Sequence, residues 1–329
     1  MRRSSEEYMD HPGVFRLKNP LNTILCFFVI IAWLLGLALP ARAQQWRLTW
    51  SDEFDGAAGA RVDTRKWTAE TGGQGWGNKE LEYYSDSMKN AYLDGHGRLV
   101  IKALQEMPGS EFKCWYGQCR YTSARLNTKK KFAQMYGRFE ARLKLPYGQG
   151  IWPAFWLLGE NIDEMGWPTC GEIDIMENIG REPDLVHGTI HGPGYMGAKG
   201  IGAPFALSGG KRFAEDFHIF AVEWEPQAIR FYVDGKLYAT RTPADLPPTT
   251  KWVYDHPFFI ILNLAVGGSW PSDPDEATLF PQTMLVDYVR VYSRSNRKLY
   301  HARQQSTERK QGELSRNRHR DGWLPRPSR

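Results

Sequence analysis

The run Gly171-Glu172-Ile173-Asp174-Ile175-Met176-Glu177 sets three carboxylates in a stretch that otherwise reads as a buried β-strand. Strand side chains alternate faces, so Glu172 and Asp174 point one way while Ile173 and Ile175 point the other. Glu177, five positions after Glu172, then faces away unless one residue is inserted. A β-bulge at Ile175-Met176 sets two residues opposite one partner and returns Glu177 to the acidic face. Glu172 and Glu177 are then four strand rises apart, roughly 13 Å between Cα atoms at ~3.3 Å per residue. Side chains leaning together leave about 5 Å between carboxyls, the separation of a retaining glycosidase. That chemistry needs one carboxylate ionised to attack an anomeric carbon and another protonated to release the leaving oxygen. Glu172 is assigned as nucleophile and Glu177 as acid/base. Asp174, between them, is their electrostatic modulator. The plainer alternative is three solvated acids on the outer face of an antiparallel sheet.

The elements that must hold these acids are strands. Arg138-Phe139-Glu140-Ala141-Arg142-Leu143-Lys144-Leu145 alternates strictly. Ile229 to Val233 leads through Asp234-Gly235 into Lys236-Leu237-Tyr238, a hairpin signal. Phe258 to Ala265 and Leu285 to Tyr292 are further strand candidates, and long amphipathic helices are missing. Two packed sheets follow, an all-β sandwich. Trp152 and Trp156, four apart, share a strand face, where indole rings could stack on the C–H faces of sugars; burial in the core is the alternative for each.

The chain resembles family-16 glycoside hydrolases of the laminarinase (endo-β-1,3-glucanase) type. The resemblance rests on Trp50-Ser51-Asp52-Glu53-Phe54-Asp55-Gly56, the run Gly75 to Tyr84, Tyr121-Thr122-Ser123-Ala124-Arg125-Leu126, and Gly148-Gln149-Gly150-Ile151-Trp152-Pro153-Ala154-Phe155-Trp156. It continues through the acidic run, Gly188-Thr189-Ile190-His191 and Val286 to Tyr292, collinear from about Trp46 to about Ser293. The inserted Met176 is similar to the bulged, laminarinase-like branch. The resemblance implies a jelly-roll sandwich with a concave substrate cleft. It also implies that Asn90 and Arg125 contact glucosyl hydroxyls and that His191 stands beside the acids. On chemistry alone His191 reads as a structural hydrogen-bonder and Arg125 as a surface ion pair. A structural Ca2+ on the convex side is implied at Glu53, Gly97 and Asp287, which supply hard oxygen donors. Catalysis itself needs no cofactor.

With 329 residues, 13% aromatics and 32 glycines, the chain suits one large β domain rich in turns. Residues 1–43 read as a secretory signal: Arg2, Arg3, Arg16 and Lys18 precede an apolar run from Ile24 to Leu39, and Ala41-Arg42-Ala43 follows as a cleavage site. An uncleaved membrane anchor is the alternative; otherwise no membrane partner is expected. Residues 294–329 carry 11 Lys/Arg against 3 Asp/Glu, a basic tail read as disordered, and no nucleic-acid partner is expected. With the +8 of the tail and the +2 of residues 1–43 removed from the total of +5, residues 44–293, the catalytic domain, hold about −5. Cys26 leaves with the signal. Cys114 and Cys119 flank a short loop that a disulfide could close, with a free thiol pair as alternative, and Cys170 reads as buried packing. No cysteine spacing suggests zinc.

These readings imply a secreted or periplasmic, monomeric endo-hydrolase of β-1,3-glucan, tolerating mixed β-1,3/1,4 linkages, with a polysaccharide as its partner. A transglycosylase on the same intermediate and a non-catalytic glucan-binding module are the competing functions. The module class loses one or both glutamates, and this chain keeps both.

Overall fold

The computed structural model describes residues 46–294; the amino-terminal apolar run and the basic tail lie outside the described residues. Two large sheets account for most of them. The ten-stranded sheet runs β17 (Lys236–Arg241), β16 (Ala228–Val233), β15 (His218–Glu225), β10 (Gly137–Lys144), β19 (Gln282–Arg294), β5 (Leu99–Gln105), β8 (Tyr121–Ser123) and β3 (Glu82–Tyr84), with β1 (Trp46–Asp52) also on β19 and β4 (Ala91–Leu93) on β5. The seven-stranded sheet runs β14 (Ile201–Ala206), β13 (Leu185–His191), β12 (Glu172–Glu177), β11 (Ile151–Gly159), β18 (Phe258–Val266), β9 (Arg125–Asn127) and β2 (Thr68–Glu70). A small hairpin joins β6 (Lys113–Cys114) to β7 (Gly117–Gln118). Every pairing is antiparallel except β3 with β8. The one α-helix among the described residues, α1 (Ile162–Met165), is a single turn between β11 and β12.

Alternation in sequence becomes alternation in space. On β10, Phe139, Ala141 and Leu143 are fully buried between arginines and a lysine that face out. On β11, Ile151, Phe155 and Leu157 enter the main core, while Trp152, Ala154, Trp156 and Leu158 take the opposite face. The core between the sheets is filled from both sides, by Val222, Phe231, Val286 and Val289 of one and Ile173, Ile190, Ile260 and Leu264 of the other. Each such side chain contributes roughly 1.5–3 kcal/mol through burial. β18 is buried along its whole length, as a central strand covered on both faces must be. The Asp234-Gly235 turn has positive φ at both residues (50° and 76°), the type I′ geometry expected of a two-residue hairpin. The architecture is the expected all-β jelly-roll sandwich.

Candidate active site

β12 starts at Glu172, directly after Gly171, whose φ of +70° and crowding against Phe258 leave no room for a side chain. Ile173, Ile175 and Met176 all enter the main core. Two consecutive inward residues are the mark of a bulge, and the register confirms it. On β11, Leu158, Trp156 and Ala154 lie opposite Glu172, Asp174 and Glu177; on β13, His191, Thr189 and His187 do. Partners two apart on both neighbours match acids that are two and then three apart. The extra residue therefore falls at Ile175-Met176, and Glu177 shares the face of Glu172 and Asp174, four β11 positions away.

Rows across the sheet now define the site. One runs His187, Glu177, Ala154, Asn263, Arg125, Glu70; the next runs Thr189, Asp174, Trp156, Ile261, Asn127, Thr68. The same open face thus carries the acids at one side and an aromatic and polar floor at the other. Leu158, with Phe259 and Ile261, lies in a separate small cluster that Ile162 of α1 packs against.

Each glutamate is held by an indole. Trp167 Nε1–H donates to Glu172 Oε2 at 2.8 Å, and Trp152 Nε1–H donates to Glu177 Oε1 at 3.1 Å. Glu177 Oε2 is left to carry a proton. His191 Nε2 lies 3.1 Å from Asp174 Oδ2 and 3.9 Å from Glu172 Oε1. Glu172, Asp174 and His191 each bring a ligand atom within 4.8 Å of the others, so this set could also hold a metal ion. Burial pushes the Glu172 carboxyl up to about 8, with the Asp174 charge adding to it. Burial alone pushes Asp174 up to about 8. Glu177 is raised well above the usual carboxylate range by burial, and then by Asp174 and Glu172 together. Because Glu177 faces the charges of both others, it is the last of the three to ionise.

Of the other expected residues, Trp152 and Trp156 do share the acidic face. Trp152 also meets Trp270 edge-on at 5.6 Å. Trp156 has one ring face covered: the Arg125 guanidinium sits 4.8 Å from it and 4.7 Å from Trp76, and Arg125 Nε is paired with Glu70. Arg125 is thus part of the wall, wedged between two indoles. Asn90 is a correction. It is 2% exposed, in the other sheet's layer, and its amide is consumed by Ser85, Thr122 and the Lys102 carbonyl, so no sugar reaches it. Asn78 is instead the asparagine whose main chain lies beside Trp152. A Cβ on Gly268 would lie 3.2 Å from the Asn78 carbonyl oxygen and 3.5 Å from the Trp152 ring.

Sequence reasoning also missed Trp167, Trp270 and His187. Trp167 and Trp270 are among the exposed large hydrophobics, a signal that sequence carries only as tryptophan in Gly/Pro-rich loops. His187 faces Glu177 across β13 and packs its ring on Trp270 at 5.1 Å.

The residues expected at Ca2+ come together on the ten-stranded sheet. β19 pairs Val289 with Asp52 and Val286 with Leu99, so Asp287 and Tyr288 fall at the junction where β1 ends and β5 begins, next to Glu53 and Gly97 in the chain. A Cβ on Gly97 would lie 3.5 Å from Asp55 Oδ1 and 3.9 Å from the Glu53 carbonyl oxygen. The Glu53 carboxylate is engaged by Arg290, and Asp287 Oδ2 accepts from Arg142 at 2.8 Å. Main-chain carbonyls, Asp55 and the second Asp287 oxygen are the donors that suit a hard cation there.

Residues 76–290 match the family described as Glycosyl hydrolases family 16. A beta-glucanase of Rhodothermus marinus is 42% identical over 279 residues, covering 79% of this chain and 89% of that protein. The laminarinase catalytic domain of Thermotoga maritima is 50% identical with a TM-score of 0.71, covering 77% of this chain and all of that one. An endo-1,3-1,4-beta-glycanase of Rhizobium meliloti is 32% identical over 262 residues, covering 74% of this chain and 51% of that protein.

Proposed function

This chain belongs to glycoside hydrolase family 16, and from that premise we propose that it cleaves β-1,3-glucan internally, with tolerance for mixed β-1,3/1,4 linkages, by retaining double displacement. The Glu172 carboxylate attacks the anomeric carbon while Glu177 gives its proton to the departing glycosidic oxygen, leaving a glycosyl ester on Glu172. Glu177, now a base, takes a proton from water, whose oxygen displaces Glu172 from the same carbon, so configuration is kept. Asp174 tunes both partners through its charge, with His191 Nε2 3.1 Å from its Oδ2. The observation that carries this reading is the bulge, which sets Glu172, Asp174 and Glu177 opposite Leu158, Trp156 and Ala154 on one face.

The three acids, two of them glutamates that accept from indoles, favour an enzyme over a module that only binds glucan. Transglycosylation would use the same ester, with a sugar hydroxyl in place of water. Ca2+ at the Glu53, Gly97 and Asp287 position is proposed as structural, remote from the acids. Secretion is proposed from the amino-terminal run; no helix among the described residues is long and apolar enough to cross a membrane. The test is incubation of the protein with laminarin, lichenan and agarose, following reducing ends and the anomer first released by NMR. Initial release of the β-anomer from laminarin supports substrate and stereochemistry together, and turnover of agarose alone would overturn the glucan assignment.

A further inference from the structure

Beneath the floor of the site lies a pair of carboxyls that the reaction does not use. Glu80 is 3% exposed and Glu82 is fully buried. Their hydrogen-bond partners fix which one is charged. Glu82 Oε2 accepts the Val266 backbone N–H at 2.6 Å. Glu80 Oε1 accepts Asn78 Nδ2–H at 2.9 Å, and Glu80 Oε2 is 3.0 Å from the Tyr84 hydroxyl. That hydroxyl already accepts Asn263 Nδ2–H at 3.1 Å, so its own hydrogen goes to Glu80. Asn263 Oδ1 in turn accepts Trp156 Nε1–H at 2.7 Å. Both Glu80 oxygens are therefore acceptors, and Glu82 Oε1, a buried oxygen that receives no donor and lies against the Glu80 carboxyl, is the oxygen left to carry a proton. Two carboxyls buried together cannot both ionise. The donors line up in one direction, from Trp156 through Asn263 and Tyr84 to the Glu80 charge, an arrangement in which each bond polarises the next.

We propose that ionised Glu80, held by protonated Glu82, is the positioning residue of the saccharide-binding floor, fixing Trp156 through Tyr84 and Asn263 and Asn78 directly. Asn263 is the link to the chemistry: it lies in the row of Glu177, with only Ala154 between them. Asn78 lies beside Trp152, the indole that holds Glu177. One buried charge thus orients polar and aromatic groups near the acid/base. Such a residue acts on substrate binding more than on bond cleavage, and this rests on the glucan-hydrolase reading of the site.

The experiment compares Glu80→Gln, Glu82→Gln and Tyr84→Phe. The first removes the acceptor charge. The second replaces a hydroxyl donor by an amide donor and leaves an oxygen for Val266, so it is the conservative control. The expected result is a KM for laminarin raised ten-fold or more in Glu80→Gln, with kcat within about three-fold, and parental kinetics in Glu82→Gln. In the 15N spectrum, the Trp156 indole N–H resonance, assigned with Trp156→Phe, shifts in Glu80→Gln and Tyr84→Phe and stays in Glu82→Gln. The resonance needs no substrate, so it judges the proposal even in a parent that cleaves no glucan. An unmoved Trp156 resonance in Glu80→Gln, or a Glu82→Gln variant as impaired as Glu80→Gln, would overturn it. Should Glu80→Gln fail to fold, Tyr84→Phe, which cuts the chain between Asn263 and Glu80, carries the same two readouts.

Discussion

Burial and the charges of Asp174 and Glu172 favour the protonated form of Glu177, and losing that proton has a cost to the fold. The Glu172 carboxyl rises from an ordinary 4.5 to about 8, so between those values the folded chain binds more protons than the unfolded one. Stability therefore falls as pH rises through that window, and Glu177, raised further, extends the trend in the same direction. Glu172→Gln and Glu177→Gln should each lose turnover by roughly 100-fold to 10,000-fold or more. Both should also melt above the parent at pH 8 by roughly 3 °C or more, an advantage that vanishes at pH 4. Differential scanning calorimetry at the two pH values checks the sign. Asp174→Asn removes the charge that raises both glutamates, so both limbs of the kcat/KM profile should move to lower pH. That Glu172, Asp174 and Glu177 share one face was legible because strand period and the odd spacing of the acids act within seven residues. Asn90 was misread, and Trp167, Trp270 and Asn78 were passed over. Which loop residue leans over a sheet face is decided by long-range packing that local pattern does not encode.

At the level of elements, β12 is a strand that spends one residue to turn its last acid. Ile175 and Met176 both fill the core, while the neighbouring strands keep a regular period. Deleting Met176 restores strict alternation, with all three acids still facing the floor. Such a chain should keep turnover within about ten-fold while losing about 2–5 kcal/mol of stability, the cost of emptying a buried methionine site. Urea unfolding with parallel assays separates the two effects. The bulge could be inferred from sequence because only an inserted residue reconciles Glu177 with its neighbours. The floor could not, since Trp156, Asn263 and Arg125 come from three strands whose adjacency is topological. Arg125 shows the difference: expected to touch sugar, it is wedged between Trp76 and Trp156 and tied to Glu70.

Over the whole molecule, the sandwich puts the three acids and the proposed Ca2+ position on different sheets. The acids lie on the open face of the seven-stranded sheet, and the expected Ca2+ position lies on the other sheet, at the junction of β1, β5 and β19 that holds Asp287. Chelation of bound Ca2+ should lower the melting temperature and leave kcat unchanged at temperatures where the chain stays folded. The Cys114–Cys119 disulfide closes the small hairpin, and the Trp115 indole N–H and Tyr116 hydroxyl there donate to the Glu80 and Leu81 carbonyls. Its reduction should cost about 2 kcal/mol, the entropy of closing so short a loop. Sandwich class and disulfide were both readable from alternation, turn residues and cysteine spacing. Strand order was not, because β10 joins β15 and β19, partners far along the chain.

The most direct measurement is covalent trapping. A 2-deoxy-2-fluoro-β-laminaribiosyl fluoride slows hydrolysis of the glycosyl ester, and peptide mass spectrometry then locates the sugar. Accumulation of one disaccharide on the peptide bearing Glu172, absent in Glu172→Gln, is the expected result. A label on Asp174 or Glu177, or turnover of the probe with inversion and no label, would contradict the assignment of nucleophile and acid/base to this bulged strand.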